Sequence, residues 1–232
     1  WFQQSVMTEA TWTNDGGAWA VVRRGAVPGA GEWTQLYADS GHTACSRDEL
    51  RGPMVIQWFG EPGPREIIDR HHRPMASLVR DGRVFVPAND RVFAIDAYNG
   101  TPLWDLEAPN SRRIGAMKNC GQMLLADETL YLAVEGKCWV IEAPTGKQTG
   151  AFDLPRVDDA PHDWGYLDRS NNTLVGTGQK PGASFSQLTW DTCDLLEGDH
   201  RPVIISQFLF ALDRDTGKKQ WVHHKGAILN AG

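Results

Sequence analysis

The chain has 232 residues, of which 41% are hydrophobic and 22% charged, so it can bury a sizeable core and is not a disordered chain. Its formal net charge of −6 argues against a nucleic-acid surface, which normally needs a basic stripe. No apolar run is long enough to cross a bilayer, so no transmembrane segment is predicted.

The first 60 residues contain predicted strands but none of the repeats found further along. Ala18–Val22 and Val55–Phe59 are short apolar and aromatic runs, and each is followed by a break rich in proline and glycine. The chain begins at Trp1 with no charged and apolar leader before it, so we expect any targeting signal to be absent or removed.

A repeated unit begins at Asp81. Over Asp81–Glu107, three apolar runs separated by turn residues predict three short antiparallel strands. The turn glycine of this unit recurs twice. Each copy has an aromatic residue seven positions earlier, a branched aliphatic five earlier and an acid four earlier: Phe93, Ile95, Asp96 and Gly100; Trp139, Ile141, Glu142 and Gly146; Phe210, Leu212, Asp213 and Gly217. A tryptophan follows the first and third glycines four positions later, whereas the middle copy has Phe152 nearby.

The spacing of the repeats predicts the fold class. Gly100 and Gly146 are 46 residues apart, and Gly217 follows after a further 71 because the third copy carries an insertion, Lys180–Ile205. A period in the forties with several strands per copy is typical of propeller blades. We therefore predict an all-β protein, a β-propeller of four-stranded antiparallel blades with about three full blades.

The predicted boundaries follow from the same pattern. Residues 1–60 form N-terminal strands, and within them Val55–Phe59 is predicted to complete the last blade and close the ring. Residues 61–232 form the propeller, with blades at about 73–107, 115–153 and 164–223 and the start of a further blade at 226–232. Because that last strand has nothing after it to pair with, we expect the chain to be part of a longer propeller.

Two segments resemble a known family. AIDAYNGTPLW (94–104) and ALDRDTGKKQW (211–221) resemble the repeat A-x-D-x-x-T-G-x-x-x-W of pyrroloquinoline-quinone-type (PQQ-like) β-propellers. That group includes quinoprotein dehydrogenases and the propeller lipoprotein of outer-membrane barrel assembly. The opening GEWTQLYADSGHTACS (31–46) is similar to the lead-in of such propellers in environmental bacteria. The resemblance implies a periplasmic or otherwise extracytoplasmic bacterial protein, and members with and without a quinone share the repeat.

The links between blades carry the candidate site. If each blade runs from its innermost to its outermost strand, these links gather on one face, around the mouth of the central channel. They contain the predicted ligand-binding residues Arg70, His71, His72, Arg112, Arg113, His162 and Asp163. Converging cations favour an anionic or polyhydroxylated ligand. The competing interpretation is that these are solvated loop charges paired with nearby acids.

Other kinds of site have less support. Adjacent histidines in an extended segment point to opposite sides, so no metal site is predicted. No nucleophile, P-loop or dinucleotide motif is present, so no catalytic residue is predicted. The four cysteines show no C-x-x-C spacing. Cys120 and Cys138 fall in neighbouring predicted strands, which leaves both a disulfide and buried free thiols open.

Two functions of different class remain. The first is a non-catalytic binding or scaffold propeller that presents channel-mouth loops to a small anionic molecule or a protein partner. The alternative, implied by the resemblance, is a quinoprotein-type oxidoreductase that oxidises alcohols or sugars with pyrroloquinoline quinone and calcium. It would need a shell of carboxylate and amide oxygens for the calcium ion.

Overall fold

The protein is built from strands. The computed structural model describes residues 7–24, 27–49, 55–60, 63, 66–68, 74–113, 121–182, 205–225 and 228–229. Within these ranges there are sixteen strands and no helix: β1 (Met7–Asn14), β2 (Ala18–Arg24), β3 (Leu78–Arg80), β4 (Arg83–Ala88), β5 (Arg91–Asp96), β6 (Pro102–Glu107), β7 (Met123–Ala126), β8 (Thr129–Val134), β9 (Lys137–Glu142), β10 (Gln148–Asp153), β11 (Asp163–Ser170), β12 (Thr173–Gln179), β13 (Ile205–Ser206), β14 (Phe208–Asp213), β15 (Lys219–His223) and β16 (Ile228–Leu229). No helix long and apolar enough to cross a membrane occurs in these ranges.

Twelve of the strands form three four-stranded antiparallel sheets. Blade 1 is β3-β4-β5-β6, blade 2 is β7-β8-β9-β10 and blade 3 is β11-β12-β14-β15. In each blade the strands lie side by side in chain order. Successive hairpins produce this order in blades 1 and 2, whereas in blade 3 the insertion and β13 lie between β12 and β14. The predicted fold class, an all-β chain with three four-stranded antiparallel blades, is confirmed.

The remaining strands form two small sheets. β1 pairs with β2, and β13 pairs with β16. The strand at 228–229 therefore has a partner, the end of the insertion, and the expectation that it is left unpaired is wrong. Most of that insertion, 183–204, lies outside the described residues. The predicted strand at Val55–Phe59 is wrong, because residues 55–60 have no strand geometry and Phe59 is 98% exposed. An apolar run becomes a strand only where a sheet edge accepts its hydrogen bonds.

The core lies between the blades. In β7 the side chains alternate, as strand geometry requires. Met123 and Leu125 belong to the cluster shared with blade 1, while Leu124 and Ala126 belong to the cluster shared with blade 3. All four are at most 1% exposed. Blade 2 is therefore packed on both faces, and each buried leucine contributes about 1.5–3 kcal/mol.

The acid of the repeat organises the turn that contains the glycine. In blade 1, Asp96 Oδ1 accepts hydrogen bonds from the backbone N–H groups of Tyr98 and Asn99, at 2.8 and 3.1 Å. In blade 3, Asp213 Oδ1 accepts from the N–H and the hydroxyl of Thr216, at 2.9 and 2.7 Å. Side-chain caps of this kind satisfy backbone donors that a tight turn leaves unpaired. The hydroxyl bond is the main cause that lowers the pKa of Asp213.

Each turn glycine is covered by an aromatic ring from earlier in the chain. Gly146 has φ +72°, and a Cβ added there would lie 2.5–2.9 Å from ring atoms of Trp104 in blade 1. Likewise Gly217 lies under Phe152 of blade 2. Glycine is therefore required at this position for two reasons: the backbone is left-handed, and the aromatic ring lies where a Cβ would be.

A hydrogen bond accompanies this packing. Trp104 Nε1 donates to Ala143 O at 2.9 Å. Phe152 has no such donor, and the equivalent carbonyl, Arg214 O, accepts instead from the Tyr131 hydroxyl at 3.3 Å. Tyr131 therefore supplies the hydrogen bond to the turn carbonyl that Phe152, unlike a tryptophan, cannot donate.

Trp58 covers the turn glycine of blade 1 in the same way that Trp104 covers the turn glycine of blade 2. Its ring covers Gly100, and its Nε1 donates to Ala97 O at 3.1 Å. It also stands 46 residues before Trp104, one repeat earlier. Although 55–60 is not a strand, it places an aromatic ring where a preceding blade would place one.

A segment that we call the strap, residues 33–44, crosses the first strands of all three blades. Trp33 pairs with Val79 of β3, with N–H···O distances of 2.9 and 2.8 Å. Next to it, Thr34 O accepts from Leu125 N of β7 at 2.7 Å. Then Gln35 Nε2 donates to Asp168 of β11. The blades are therefore joined at their first strands by a segment outside the repeat.

The cysteines that the structure describes are free. Cys138 is buried and carries a free thiol, whereas Cys120, the partner considered for it, lies outside the described residues. Burial raises the pKa of the Cys138 thiol, which keeps it protonated. Cys45 is an exposed free thiol.

Candidate functional site

The loops divide between two ends of the blades. Because neighbouring strands run in opposite directions, the links between blades share one end with the β4–β5 and β8–β9 turns. We call this end the link face. The contacts agree: Arg112 Nε donates to Asn89 Oδ1 at 3.0 Å, and Asn110 Nδ2 donates to Glu135 Oε1 at 2.9 Å. The other end, with the β3–β4 and β11–β12 turns, is the turn face.

The two predicted arginines in the link between blades 1 and 2 lie in different environments. Arg112 is half-buried beside the β4–β5 turn. Arg113 is only 1% exposed, and its guanidinium donates to Gly165 O, to Trp164 O at 2.6 Å and to Ala133 O at 3.4 Å. The competing interpretation, a solvated loop charge, is therefore wrong for Arg113. Its hydrogen bonds to backbone carbonyls tie blade 2 to the start of β11.

The link between blades 2 and 3 places two further predicted residues, His162 and Asp163, near Arg113. Asp163 is 7% exposed, and its Oδ2 accepts from Gly182 N at 2.8 Å. His162 lies beside it, with its ring edge-on to Phe208 at 4.9 Å between centroids. The guanidinium of Arg113 bonds the carbonyls just beyond, so Arg113, His162 and Asp163 meet at the start of β11. The predicted residues Arg70, His71 and His72 lie outside the described residues.

An open cleft of about 520 Å³ follows this link. Its lining residues are Gly136, Asp153, Leu154, Pro155, Arg156, Asp159, Ala160, Pro161 and His162. The volume is in the range of small-molecule sites. Of the predicted site residues that the structure describes, the cleft is lined only by His162. Repeat counting missed Arg156, because it stands in a link whose sequence does not recur.

The link beside the cleft has an unusual backbone. Asp158 and Asp159 both have positive φ, +54° and +50°, and Ala160 N bonds Val157 O at 3.3 Å. Two consecutive left-handed residues define a type I′ turn, which glycine and asparagine favour over aspartate. Strained backbone of this kind is often found at functional sites.

The charges in the cleft are unevenly compensated. Asp153 forms an ion pair with Lys137 at 3.0 Å. Arg156 is exposed and has no ion pair or hydrogen bond within the described part of the chain. His162 Nδ1 donates to Ala160 O at 2.9 Å, so a neutral ring has its Nε2 available as an acceptor. A protonated ring would offer a donor at the same atom.

A second polar cluster fastens the strap to β11. Tyr166 donates its hydroxyl proton to Asp168 Oδ2 at 2.9 Å. His42 Nε2 lies 2.6 Å from that hydroxyl and 3.0 Å from the carboxylate, so Nε2 carries a proton to bond either oxygen. His42 itself has φ +50°, one of four non-glycine strap residues with positive φ. The cluster joins positions 126 residues apart, and no sequence pattern connects them.

The described residues offer little to a calcium-bound quinone. They contain no group of three or more His, Cys, Asp or Glu side chains that could hold a metal ion. A calcium shell of carboxylates therefore does not fit the described part of the chain, and we derive no step through the quinone.

No protein-family model and no curated protein sequence matches the chain. Among solved structures it is similar to a quinohemoprotein alcohol dehydrogenase from Pseudomonas putida HK5, at 22% identity and a TM-score of 0.44, over 64% of this chain and 20% of that one. It is also similar to a europium-containing methanol dehydrogenase, at 16% identity and a TM-score of 0.43, over 65% of this chain and 32% of that one. A third is BamB from Moraxella catarrhalis, at 18% identity and a TM-score of 0.35, over 66% of this chain and 49% of that one.

The chain thus spans less than half the length of each of these three proteins. These similarities agree with the predicted resemblance at the level of the fold and leave the activity of this chain open.

Proposed function

We propose that this chain is a non-catalytic PQQ-like β-propeller that binds a small anionic ligand at its link face. The observation that carries the proposal is the cleft of about 520 Å³, in which Arg156 has no ion pair among the described residues and His162 lines the wall. A guanidinium binds a carboxylate or phosphate group through two parallel hydrogen bonds.

The acids in the cleft narrow the ligand class. Asp153 is paired with Lys137, so among the described lining residues the acid without an ion pair is Asp159, on the strained turn. One cation and one acid without an ion pair, counted among the described lining residues, suit a ligand with a single anionic group and several hydroxyls. The acid can then accept hydrogen bonds from the hydroxyls, while the arginine binds the anionic group.

The other predicted ligand residues are part of the same proposal. Arg112 lies on the link face, and Arg70, His71 and His72 belong to the link that enters blade 1. A set of cations on one face gives a positive local potential on a chain that is acidic as a whole, which would concentrate anions there. We also propose that the protein is extracytoplasmic. In addition, we propose that a further blade or a protein partner packs on the exposed side of blade 3.

Isothermal titration with gluconate and with its uncharged counterpart sorbitol tests the proposal. We expect gluconate to bind more tightly than sorbitol, because its carboxylate can accept charge-assisted hydrogen bonds from Arg156 and sorbitol offers only hydroxyls. Arg156→Gln should weaken gluconate binding about tenfold or more, since a hydrogen bond to a charged group contributes roughly 1.5–3 kcal/mol.

Arg91→Gln is the matched control, because Arg91 pairs with Asp105 at 2.9 Å within blade 1 and does not line the cleft. Equal gluconate affinity in the parent and in the Arg156 variant would remove the site. Adding pyrroloquinoline quinone with calcium to the same protein tests the rival function: quinone-dependent oxidation of an alcohol or sugar would show an oxidoreductase instead.

A further inference from the structure

The outer half of the strap is a compact loop whose two ends lie together. Ala44 N donates to Tyr37 O at 3.0 Å, so the chain returns to the point from which it left. Within the loop, Asp39 Oδ1 accepts hydrogen bonds from the backbone N–H groups of Gly41 and Thr43, at 3.0 and 3.3 Å, and Oδ2 accepts from the Thr43 hydroxyl at 3.1 Å. Loops that are closed and braced from within in this way are frequently functional. We call residues 39–44 the lid.

The lid differs from the inner half of the strap in burial. Residues 34–36 are buried, and Leu36 belongs to the core cluster shared by blades 1 and 2. None of the residues 39–44 is buried. The core therefore holds the inner half of the strap, whereas moving the lid uncovers little apolar surface. Segments with few buried apolar contacts open at lower free energy than the core.

The backbone is strained where the lid joins the strap. Tyr37 and Ala38, just before the lid, have φ +57° and +81°, and Ala44, at its end, has φ +50°. Within the lid, His42 also has φ +50°. Residues with a Cβ adopt such angles at a cost in free energy and keep them only where surrounding contacts hold the backbone in place. The closed position of the lid therefore depends on specific contacts.

His42 supplies contacts of this kind. Its Nε2 lies 3.0 Å from Asp168 Oδ2 and 2.6 Å from the Tyr166 hydroxyl, both on β11. Its ring also packs edge-on against the Tyr166 ring, with 5.9 Å between centroids. The side chains of His42 and Asp168 are 32% and 16% exposed, so solvent reaches this contact. Among the described residues, the hydrogen bonds from the lid to β11 all pass through His42.

Asp168 also holds the inner half of the strap. Its Oδ1 accepts from the Gln35 side-chain amide and from Arg169 N, the latter at 2.6 Å. Its Oδ2 accepts from the Tyr166 hydroxyl at 2.9 Å and faces His42 Nε2. Only a carboxylate accepts at both oxygens, so one side chain fastens both halves of the strap to β11.

We propose that residues 39–44 form a lid that opens over Tyr166 and Asp168 while the blades stay folded, with the contact of His42 to these two residues as its latch. Opening breaks the His42 contacts and releases the strained backbone, while residues 34–36 stay in the core. It uncovers the Tyr166 hydroxyl and Oδ2 of Asp168. The lid does not depend on the link-face cleft, because Asp168 lies towards the opposite end of β11 from His162.

Hydrogen exchange of the whole chain, read at single amides by NMR well below the melting temperature, tests the lid. His42→Phe keeps a ring but removes Nε2, so the amides of Gly41, Thr43 and Ala44 should exchange roughly two- to tenfold faster than in the parent. The amides of Val79 and Leu125 donate to Trp33 O and Thr34 O of the inner half, so their exchange should be unchanged.

Asp168→Asn tests the latch from the other side. The amide keeps the shape of the carboxylate but places a donor where the partners are donors, so the lid amides should again exchange faster. Asp105→Asn is the matched control, because it removes a strand carboxylate from the Arg91–Asp105 pair of blade 1, and it should leave the lid amides unchanged.

Two results would overturn the proposal. One is equal exchange of the lid amides in the parent and in His42→Phe, which would show that His42 is not a latch. The other is an equal acceleration at Val79 and Leu125 in His42→Phe, which would show that the lid opens only together with the rest of the strap.

Discussion

The covered turn glycine allows a sharp test of how the blades are held together. In Gly146→Ala, alanine must adopt φ near +72°, which costs about 1–2 kcal/mol for a residue with a Cβ. The new Cβ would also lie 2.5–2.9 Å from the Trp104 ring, so the ring must move. Moving it breaks the 2.9 Å bond from Trp104 Nε1 to Ala143 O, worth roughly 0.5–1.5 kcal/mol. We therefore expect the free energy of unfolding to fall by about 1.5–3.5 kcal/mol.

The same blade provides the matched control. Gly150 lies in β10, where φ is not positive and a Cβ would meet nothing within 4 Å. Gly150→Ala should therefore change the free energy of unfolding by less than about 0.5 kcal/mol or raise it slightly.

The assay is urea denaturation followed by circular dichroism, with the free energies taken from midpoints and slopes. If the two variants lost the same stability, the ring would not be constrained by the glycine and the account of blade packing would be wrong.

Two further substitutions test neighbouring parts of this packing. Tyr131→Phe removes the bond to Arg214 O and should cost about 1 kcal/mol at neutral pH in the same denaturation assay. Burial, opposed by Arg214, raises the pKa of Tyr131 to about 12. The folded state therefore favours the protonated phenol, and the parent should lose stability as pH rises from about 10 to 12, a loss that the variant should not share. Trp104→Ala should cost about 3–5 kcal/mol, whereas Trp221→Ala should cost less than about 1 kcal/mol because Trp221 is 43% exposed. Equal costs would mean that Trp221 is already packed, for example against a second copy of the chain.

The blades could be predicted because their determinants are local. The turn glycine, the acid four positions before it and the flanking apolar runs act within about twenty residues, so a repeated spacing shows them directly. The tryptophan positions were also visible, and the structure explains them as covers for the next glycine. Trp58 could have been found by the same 46-residue spacing, although the residues around it do not match the repeat.

The parts that sequence could not predict depend on distant partners. The strap has no period of its own, and its hydrogen bonds join Thr34 to Leu125 and Gln35 to Asp168. The sequence shows Arg113 only as a polar residue in a link between blades. The fold shows that its guanidinium is buried and donates to backbone carbonyls. Val55–Phe59 has the composition of a strand, but strand formation needs a sheet edge, which composition cannot report.

The packing between blades follows the direction of the chain, and this direction indicates whether a further blade can pack beyond blade 3. In each case an aromatic ring from earlier in the chain covers the turn glycine of the next blade: Trp58 covers Gly100, Trp104 covers Gly146 and Phe152 covers Gly217. Blade 1 thus receives its ring from a segment that is not a blade. Trp221, the ring that blade 3 presents in the same series, is 43% exposed. Trp104 and Phe152, the counterparts of Trp221 in blades 1 and 2, both cover glycines, whereas Trp221 is open at the point where a fourth turn of this kind would fit. This exposed ring favours the proposal that a further blade packs on the exposed side of blade 3.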